Sequence, residues 1–335
     1  MRAYQLQSKG IDGLKEVELP QPKPGPRQVL VRVAACSLNY RDLAIVSGNY
    51  RAPVKENVIP LSDGAGEVVE VGPGVTHFKP GDKVAGNFSQ RWYGGQPAPE
   101  NVNYALGGPA DGMLAELVVL EEQGTVKLPA HLSLQEGATL PCAGVTAWHA
   151  VVEYGSARPG STVLVQGTGG VSIFALQFAR ALGAEVIAIS SSDEKLARAK
   201  KMGAALGINY QATPEWDKAV AQHTHGGVDL VVEVGGAGTF MRSLGAIKVG
   251  GKIGMIGVLS QPTGDFNPMI ILGKRANVQG ISVGSTQMFE AMNRAIAADN
   301  IKPVIDKVFP FADVKSAFHH LQAATHFGKV VISLT

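Results

Sequence analysis

The pattern of hydrophobic and polar positions changes rhythm twice along the chain. Residues 1–122 carry short apolar-rich runs over 28–38, 66–71, 82–86 and 115–120, which predict strands. Turn signals separate them: Lys23-Pro24-Gly25-Pro26, Gly72-Pro73-Gly74 and Lys79-Pro80-Gly81-Asp82. Many short strands with regular turns predict a small antiparallel barrel. From about residue 132 to 259, strand and helix alternate. Continuous apolar runs predict strands at 162–166, 185–189, 206–209, 229–234 and 252–258, and helical spacing predicts helices at 171–182, 193–202, 214–222 and 240–247. Buried strands alternating with amphipathic helices imply a parallel sheet covered on both faces. Beyond residue 260 the pattern is mixed: strand 278–283, helices 287–298 and 312–324, strand 329–334. This tail is short for a domain. It is expected to return and complete the first one, with the parallel-sheet domain inserted between.

Composition narrows the classes. A chain of 335 residues suggests two domains, each able to bury a core. Hydrophobic residues at 45% and charged residues at 17% fit a globular protein. A net charge of +2 gives no global attraction to nucleic acid or to an anionic membrane, so neither is expected as a partner. No apolar run is long enough to span a bilayer, and the opening residues alternate like a strand rather than forming a signal peptide's apolar core. These features read as cytoplasmic. Two cysteines, Cys36 and Cys142, make neither a disulfide framework nor a four-ligand zinc site.

Candidate chemistry centres on Thr162-Val163-Leu164-Val165-Gln166-Gly167-Thr168-Gly169-Gly170-Val171-Ser172. A buried strand runs into a glycine turn and then a helix, whose free N–H groups face the turn. That geometry suits a pyrophosphate. The usual spacing is Gly-x-Gly-x-x-Gly, and Ser172 occupies the last glycine position, so the motif draws its weight from its place between strand and helix. A plain strand-to-helix turn is the competing reading. An NAD-preferring fold places an acid about 20 residues on, to bind the ribose 2′-hydroxyl. Here the second strand ends in Ser190-Ser191-Ser192, with Lys195 just beyond. Hydroxyls would not repel a 2′-phosphate, and Lys195 could pair with it. Asp193 and Glu194 complicate this, but Ser191 to Glu194 fits a helix capping box, where acids are expected. The expected cofactor is NADP(H).

Taken together, segments 28–42, 60–74, 78–84, 140–148, 162–172, 203–210, 250–257 and 327–331 resemble the medium-chain dehydrogenase/reductase superfamily over essentially the full length. The resemblance implies an α/β protein: a GroES-like β-barrel catalytic domain (residues 1–122), an inserted Rossmann domain with a doubly wound parallel sheet (123–265), and a return to the catalytic domain (266–335). Cofactor and substrate would lie in the cleft between. Zinc-dependent members carry a catalytic Cys, His and Cys. Those positions fall on Asn39, Ser62 and Cys142, so only the last matches. A lone thiolate cannot hold a catalytic zinc. The four-cysteine lobe that holds a structural zinc has no counterpart in residues 87–112. The chain therefore resembles the zinc-free branch, which includes quinone oxidoreductases and enoyl reductases, and no zinc is expected.

In that branch the Asn-Tyr/Phe-x-Asp segment faces the nicotinamide, which makes Asn39 and Tyr40 candidates for the substrate pocket. Tyr50 resembles the tyrosine that enoyl reductases carry after a similar glycine. A phenol there could donate a proton or hydrogen-bond a carbonyl oxygen as charge builds on it. Each tyrosine also reads as an amphipathic packing residue. Asp42 and Asp63 read as polar residues that orient the cleft, Cys142 as a small buried residue, and His326 as a surface histidine. On the cofactor side the resemblance points to Thr146 near the nicotinamide, Tyr210 near a 2′-phosphate, Val258, Leu259, Ser282 and Val283 along the nicotinamide amide, and Phe327 and Lys329 as a late contact. Segment 88–112 carries Trp92, Tyr93 and Tyr104 and reads as a cover for the substrate or part of a dimer contact. The expected reaction is hydride transfer from NADPH to an electron-poor acceptor: an activated C=C, a carbonyl or a quinone. Rival readings are a zinc-free alcohol or aldehyde dehydrogenase and a non-catalytic NADPH-binding protein. Exposed sheet edges suggest a homodimer.

Overall fold

The structure is a computed structural model that describes residues 1–259 and 267–335. It divides into two compact units. A split unit comprises Met1–Val145 and Val283–Thr335, and a parallel-sheet unit comprises Thr146–Ser282. The expected boundary between residues 265 and 266 lies outside the described residues.

The split unit begins with an antiparallel pair, β1 (Arg2–Leu6) and β2 (Leu14–Glu18). The central strand is β3 (Gln28–Ser37), which pairs antiparallel with β4 (Asp63–Val71). Helix α1 (Tyr40–Val46) leaves directly from the end of β3. Strands β5 (Lys83–Gly86), β6 (Leu117–Glu121) and β7 (Thr125–Lys127) follow, with β5 between β4 and β7 and with β6 against β3. The β5–β7 pairing carries the first leg past residue 122, where the composition shifts, so this leg runs on to Val145.

The parallel-sheet unit contains β8 (Thr162–Gln166), β9 (Glu185–Ser190), β10 (Leu206–Asn209), β11 (Val228–Glu233), β12 (Ile247–Met255) and β13 (Asn277–Gly280). All neighbours are parallel, in the order β10-β9-β8-β11-β12-β13. Counted from its own first strand, this is the doubly wound order, with its reversal between β8 and β11. Two helices matter for the site: α2 (Gly170–Ala181) follows β8, and α3 (Asp193–Lys201) follows β9. The central strands have apolar middles that are buried, among them Val163, Leu164, Ile187, Val231 and Ile253.

The chain then returns. Strands β14 (Ile305–Pro310) and β15 (Lys329–Ser333) are parallel to each other, and β15 lies antiparallel against β3. The completed sheet reads β14-β15-β3-β4-β5-β7. One core joins both legs of this unit, with Val31, Val33 and Val68 packed alongside Phe318, Val330 and Ile332.

Candidate functional site

Sheet register builds a buried polar cluster in the split unit. Ser37, the last residue of β3, faces Asp63 on β4 and Val331 on β15. The first residues of β4 and β15 are therefore drawn to the segment that leaves β3. Lys329, only 3% exposed, donates from Nζ to the Leu38 carbonyl at 2.7 Å and to Asn39 Oδ1 at 2.5 Å. Its ammonium also lies 3.8 Å from Asp63 Oδ2. Asp63 accepts from Ser62 Oγ at 2.7 Å and from the Cys142 backbone N–H at 3.3 Å. The Asn39 backbone N–H donates to Asp42 Oδ2 at 2.7 Å, which ties the start of α1 to the cluster. Leu61, just before Ser62, is buried with φ at 69°, a left-handed conformation unusual for leucine and a point of backbone strain beside the cluster.

Burial governs the charges. It pushes the Asp63 carboxyl above its ordinary value, opposed by Lys329 and by hydrogen bonds from Asn39, Ser62 and Cys142. Burial also raises Asp42 to about 6, opposed first by Arg41. The Cys142 thiol is pushed far up by burial and then by Asp63, so it stays protonated. Arg41 donates to the Leu106 carbonyl at 3.0 Å and lies against the rings of Tyr50 and Phe88.

This donor set does not fit a zinc ion. Ser62 gives its hydroxyl proton to Asp63, Asn39 Oδ1 is taken by an ammonium, Cys142 is the single thiol among them, and a buried cation shares the cluster with them. Among the described residues, no group of three or more His, Cys, Asp or Glu is placed to hold a metal.

The parallel-sheet unit forms a separate cradle at its reversal point. Gly167 has φ at +71°, a turn that favours glycine, and its N–H donates to the Ile189 carbonyl at 2.7 Å. Gly169 is extended, and nothing lies within 4 Å of where its Cβ would be. That leaves open space beside the first turn of α2, whose free N–H groups suit an anion. Ser172 is buried and donates to the Gln166 carbonyl at 2.6 Å, closing the turn in place of the missing glycine. Thr168 is buried and Val171 half-buried. At the end of β9, Ser190 Oγ accepts from the Ser192 N–H, and the Ser190 carbonyl accepts from the Tyr210 N–H. The residues expected around a 2′-phosphate therefore share one edge of this unit. The helix cap is a correction: Ser192, not Ser191, is the N-cap of α3 and accepts from the Lys195 N–H. Two serines in succession offer the same group, and the strand runs one residue further than the expected cap allowed. Asp193 accepts from Asn209 Nδ2 at 2.9 Å, so its carboxylate is already engaged.

Pattern reading missed the floor of this cradle. Gln166 donates to Glu233 and to Ser243, both at 2.7 Å, while Glu233 accepts from the N–H groups of Gly235 and Gly236. The acid in Val231-Val232-Glu233-Val234 was the available signal: a buried carboxylate at the end of an apolar strand needs partners.

Other expected positions are dispersed. Tyr40 is exposed, whereas Tyr50 packs on Arg41. Val258 and Leu259 are exposed beyond the end of β12, Ser282 is exposed, and Thr146 is buried. Phe327 is buried, and its N–H donates to Asp306. Lys329, expected as a late cofactor contact, directs its Nζ N–H groups to Leu38 and Asn39. Val283 joins Phe88, Trp92 and Ala105 in a small apolar cluster with Cys142 against it. Segment 88–112 is thus anchored to the split unit at Phe88, Trp92 and Ala105 while Tyr93 and Val102 stay exposed, and the Trp92 and Tyr93 carbonyls accept from the N–H groups of Thr286 and Gln287.

Comparison with known proteins gives this arrangement a class. The alcohol dehydrogenase GroES-like domain model matches residues 25–130, and the zinc-binding dehydrogenase model matches residues 170–298. The chain is 46% identical to a zinc-type alcohol dehydrogenase-like protein of Schizosaccharomyces pombe, over 97% of this chain and 96% of that one. It is 29% identical to an acryloyl-coenzyme A reductase of Sulfurisphaera tokodaii, over 96% of each. A solved NAD-dependent alcohol dehydrogenase superposes over all of both chains with a TM-score of 0.91 at 33% identity. The chain belongs to the medium-chain dehydrogenase/reductase superfamily and is an oxidoreductase with that superfamily's GroES-like and Rossmann domains.

Proposed function

We infer that the protein is a zinc-independent reductase that takes a hydride from NADPH to an activated C=C, a carbonyl or a quinone. The observation that carries this reading is the cluster of Asn39, Asp63, Cys142 and Lys329. At the positions where zinc-dependent relatives carry metal ligands, this chain has an amide and a hydroxyl already committed to Lys329 and Asp63. Without a Lewis acid, removing a hydride from an unactivated alcohol is disfavoured. An electron-poor acceptor needs only donors that stabilise charge on its oxygen. Lys329 holds the Asn39 amide by its oxygen, and the buried amide nitrogen is directed to the Asp63 carboxylate, so Asn39 orders the cluster. Tyr50 offers a phenol donor on the same unit. The reduced nicotinamide supplies the hydride.

The preference for NADPH rests on Ser190, Ser191 and Ser192 at the end of β9, on Lys195 one turn into α3, and on the engagement of Asp193 by Asn209. The reductase named among the relatives supports an activated double bond as acceptor. The NAD-dependent solved relative makes the alternative concrete.

The test is a screen of enones, quinones and aldehydes followed by NADPH absorbance, with alcohols plus NADP⁺ as the reverse assay. Turnover of enones or quinones is expected, with higher kcat/KM for NADPH than for NADH. Dialysis against a chelator should leave the rate unchanged. Turnover confined to alcohols, or a rate lost to the chelator and restored by zinc, would overturn the reading.

A further inference from the structure

Arg41 presents a second, unused capacity in the split unit. Its side chain is nine-tenths buried. Nη1 is taken by the Leu106 carbonyl and faces Asp42 Oδ1 at 3.6 Å. Nε and Nη2 are shut off from solvent and complete no hydrogen bond. These two nitrogens form one edge of the planar guanidinium, with two nearly parallel N–H groups. Such an edge matches the two oxygens of a carboxylate.

Two rings hold the group in place. The guanidinium carbon lies 5.0 Å from the centroid of Tyr50 and 4.5 Å from that of Phe88. Ring contacts steady an arginine without consuming its N–H groups. A buried pair of open donors is costly to keep unless something completes it. The Tyr50 phenol caps this edge, close enough to raise the guanidinium's pKa as a hydrogen-bond partner although neither Nε nor Nη2 meets it in good alignment. Tyr50 also lines an open depression together with Ile45, Gly48 and Val54. It lies on the segment between α1 and β4, which holds no helix or strand. The ring that covers the guanidinium is thus accessible from outside.

We propose that the Nε/Nη2 edge of Arg41 binds a carboxylate on the acceptor, with the Tyr50 ring turning aside to admit it. The proposal rests on the reductase reading in placing the acceptor on this unit, and it names the acceptor's class: a planar unsaturated compound that carries a carboxylate. Arg41 is then a specificity-determining residue.

Titration calorimetry on NADP⁺-loaded protein, with cinnamate and its neutral isostere cinnamamide as probes, reads the site without turnover. Wild-type protein is expected to bind cinnamate about tenfold or more tightly than cinnamamide. Gly108→Ala keeps the cation and sets a Cβ 3.0 Å from Nη2, crowding the edge. It should cut the preference to about threefold or less, as should Arg41→Gln. Gly108→Ala keeps the test decisive if the Arg41→Gln chain does not fold. Equal affinities in the wild type, no binding of either probe, or a cinnamate preference that survives Gly108→Ala would overturn the proposal. Failure of the reductase reading appears elsewhere, as absent NADPH oxidation with the calorimetric ratio intact.

Discussion

Burial in the split unit lifts the Asp42 carboxyl from 3.8 to about 6, with Arg41 opposing the shift. The folded state therefore holds this proton over a range where the unfolded chain has released it. Stability from Asp42 is fully present below pH 3.8 and is lost as pH rises through 6. A shift of this size corresponds to about 3 kcal/mol. Asp42→Asn removes the titration. Urea unfolding at intervals between pH 4 and 7 should show a stability decline in the wild type that is flatter in the variant, by about 2–3 kcal/mol across the range. Parallel profiles would mean that Asp42 does not titrate there. At this scale the sequence is least informative. Asn39, Ser62 and Cys142 could be noted as departures from a metal-binding pattern, and Asp42 and Asp63 as polar residues of the cleft. Nothing local pointed to Lys329 as their partner. It lies 290 residues from Asn39, and only the β3–β15 pairing brings them together.

Elements were legible where one physical signal dominated. Strand β8 falls at its expected bounds because a buried parallel strand is an unbroken apolar run closed by glycine. Strand β12 begins at Ile247, five residues before the expected start, because Gly250 and Gly251 interrupt the apolar run that marks a strand. The turn between β8 and α2 joins element to function, and Gly169 isolates the two. Its backbone is extended, which any residue adopts, and the space beside it is open. Gly169→Ala should therefore leave the unfolding midpoint of the ligand-free protein nearly unchanged, within about 0.5 kcal/mol. A dinucleotide that needs the same space should bind about tenfold or more weakly, measured by NADPH fluorescence titration. Unchanged affinity would place the pyrophosphate elsewhere. Gly167→Ala is the contrast, since φ at +71° penalises the fold itself.

At the scale of the whole molecule, the split arrangement was readable from a tail too short to fold alone, and the return of β14 and β15 to β3 accounts for it. Assembly is the property a single chain leaves open, and the parallel sheet gives it a place. Among the described residues, strand β13 ends the sheet, paired on one side only, with β12. Its sequence, Asn277-Val278-Gln279-Gly280, has neither the charge nor the proline that natural edge strands use to prevent pairing. Val278 is exposed, as are Met269 and Leu272 on the helix just before it and Val249 in β12. An unprotected edge flanked by exposed apolar side chains suits a second copy related by a twofold axis, which pairs the edge with itself and covers the patch. Sedimentation equilibrium at micromolar concentration should return twice the chain mass. A double variant, Leu272→Glu with Val278→Lys, should shift the population to monomer while the fold, read by circular dichroism, is kept. A wild-type monomer would leave this edge without a partner, and a dimer that survives the double variant would assign the contact to another surface.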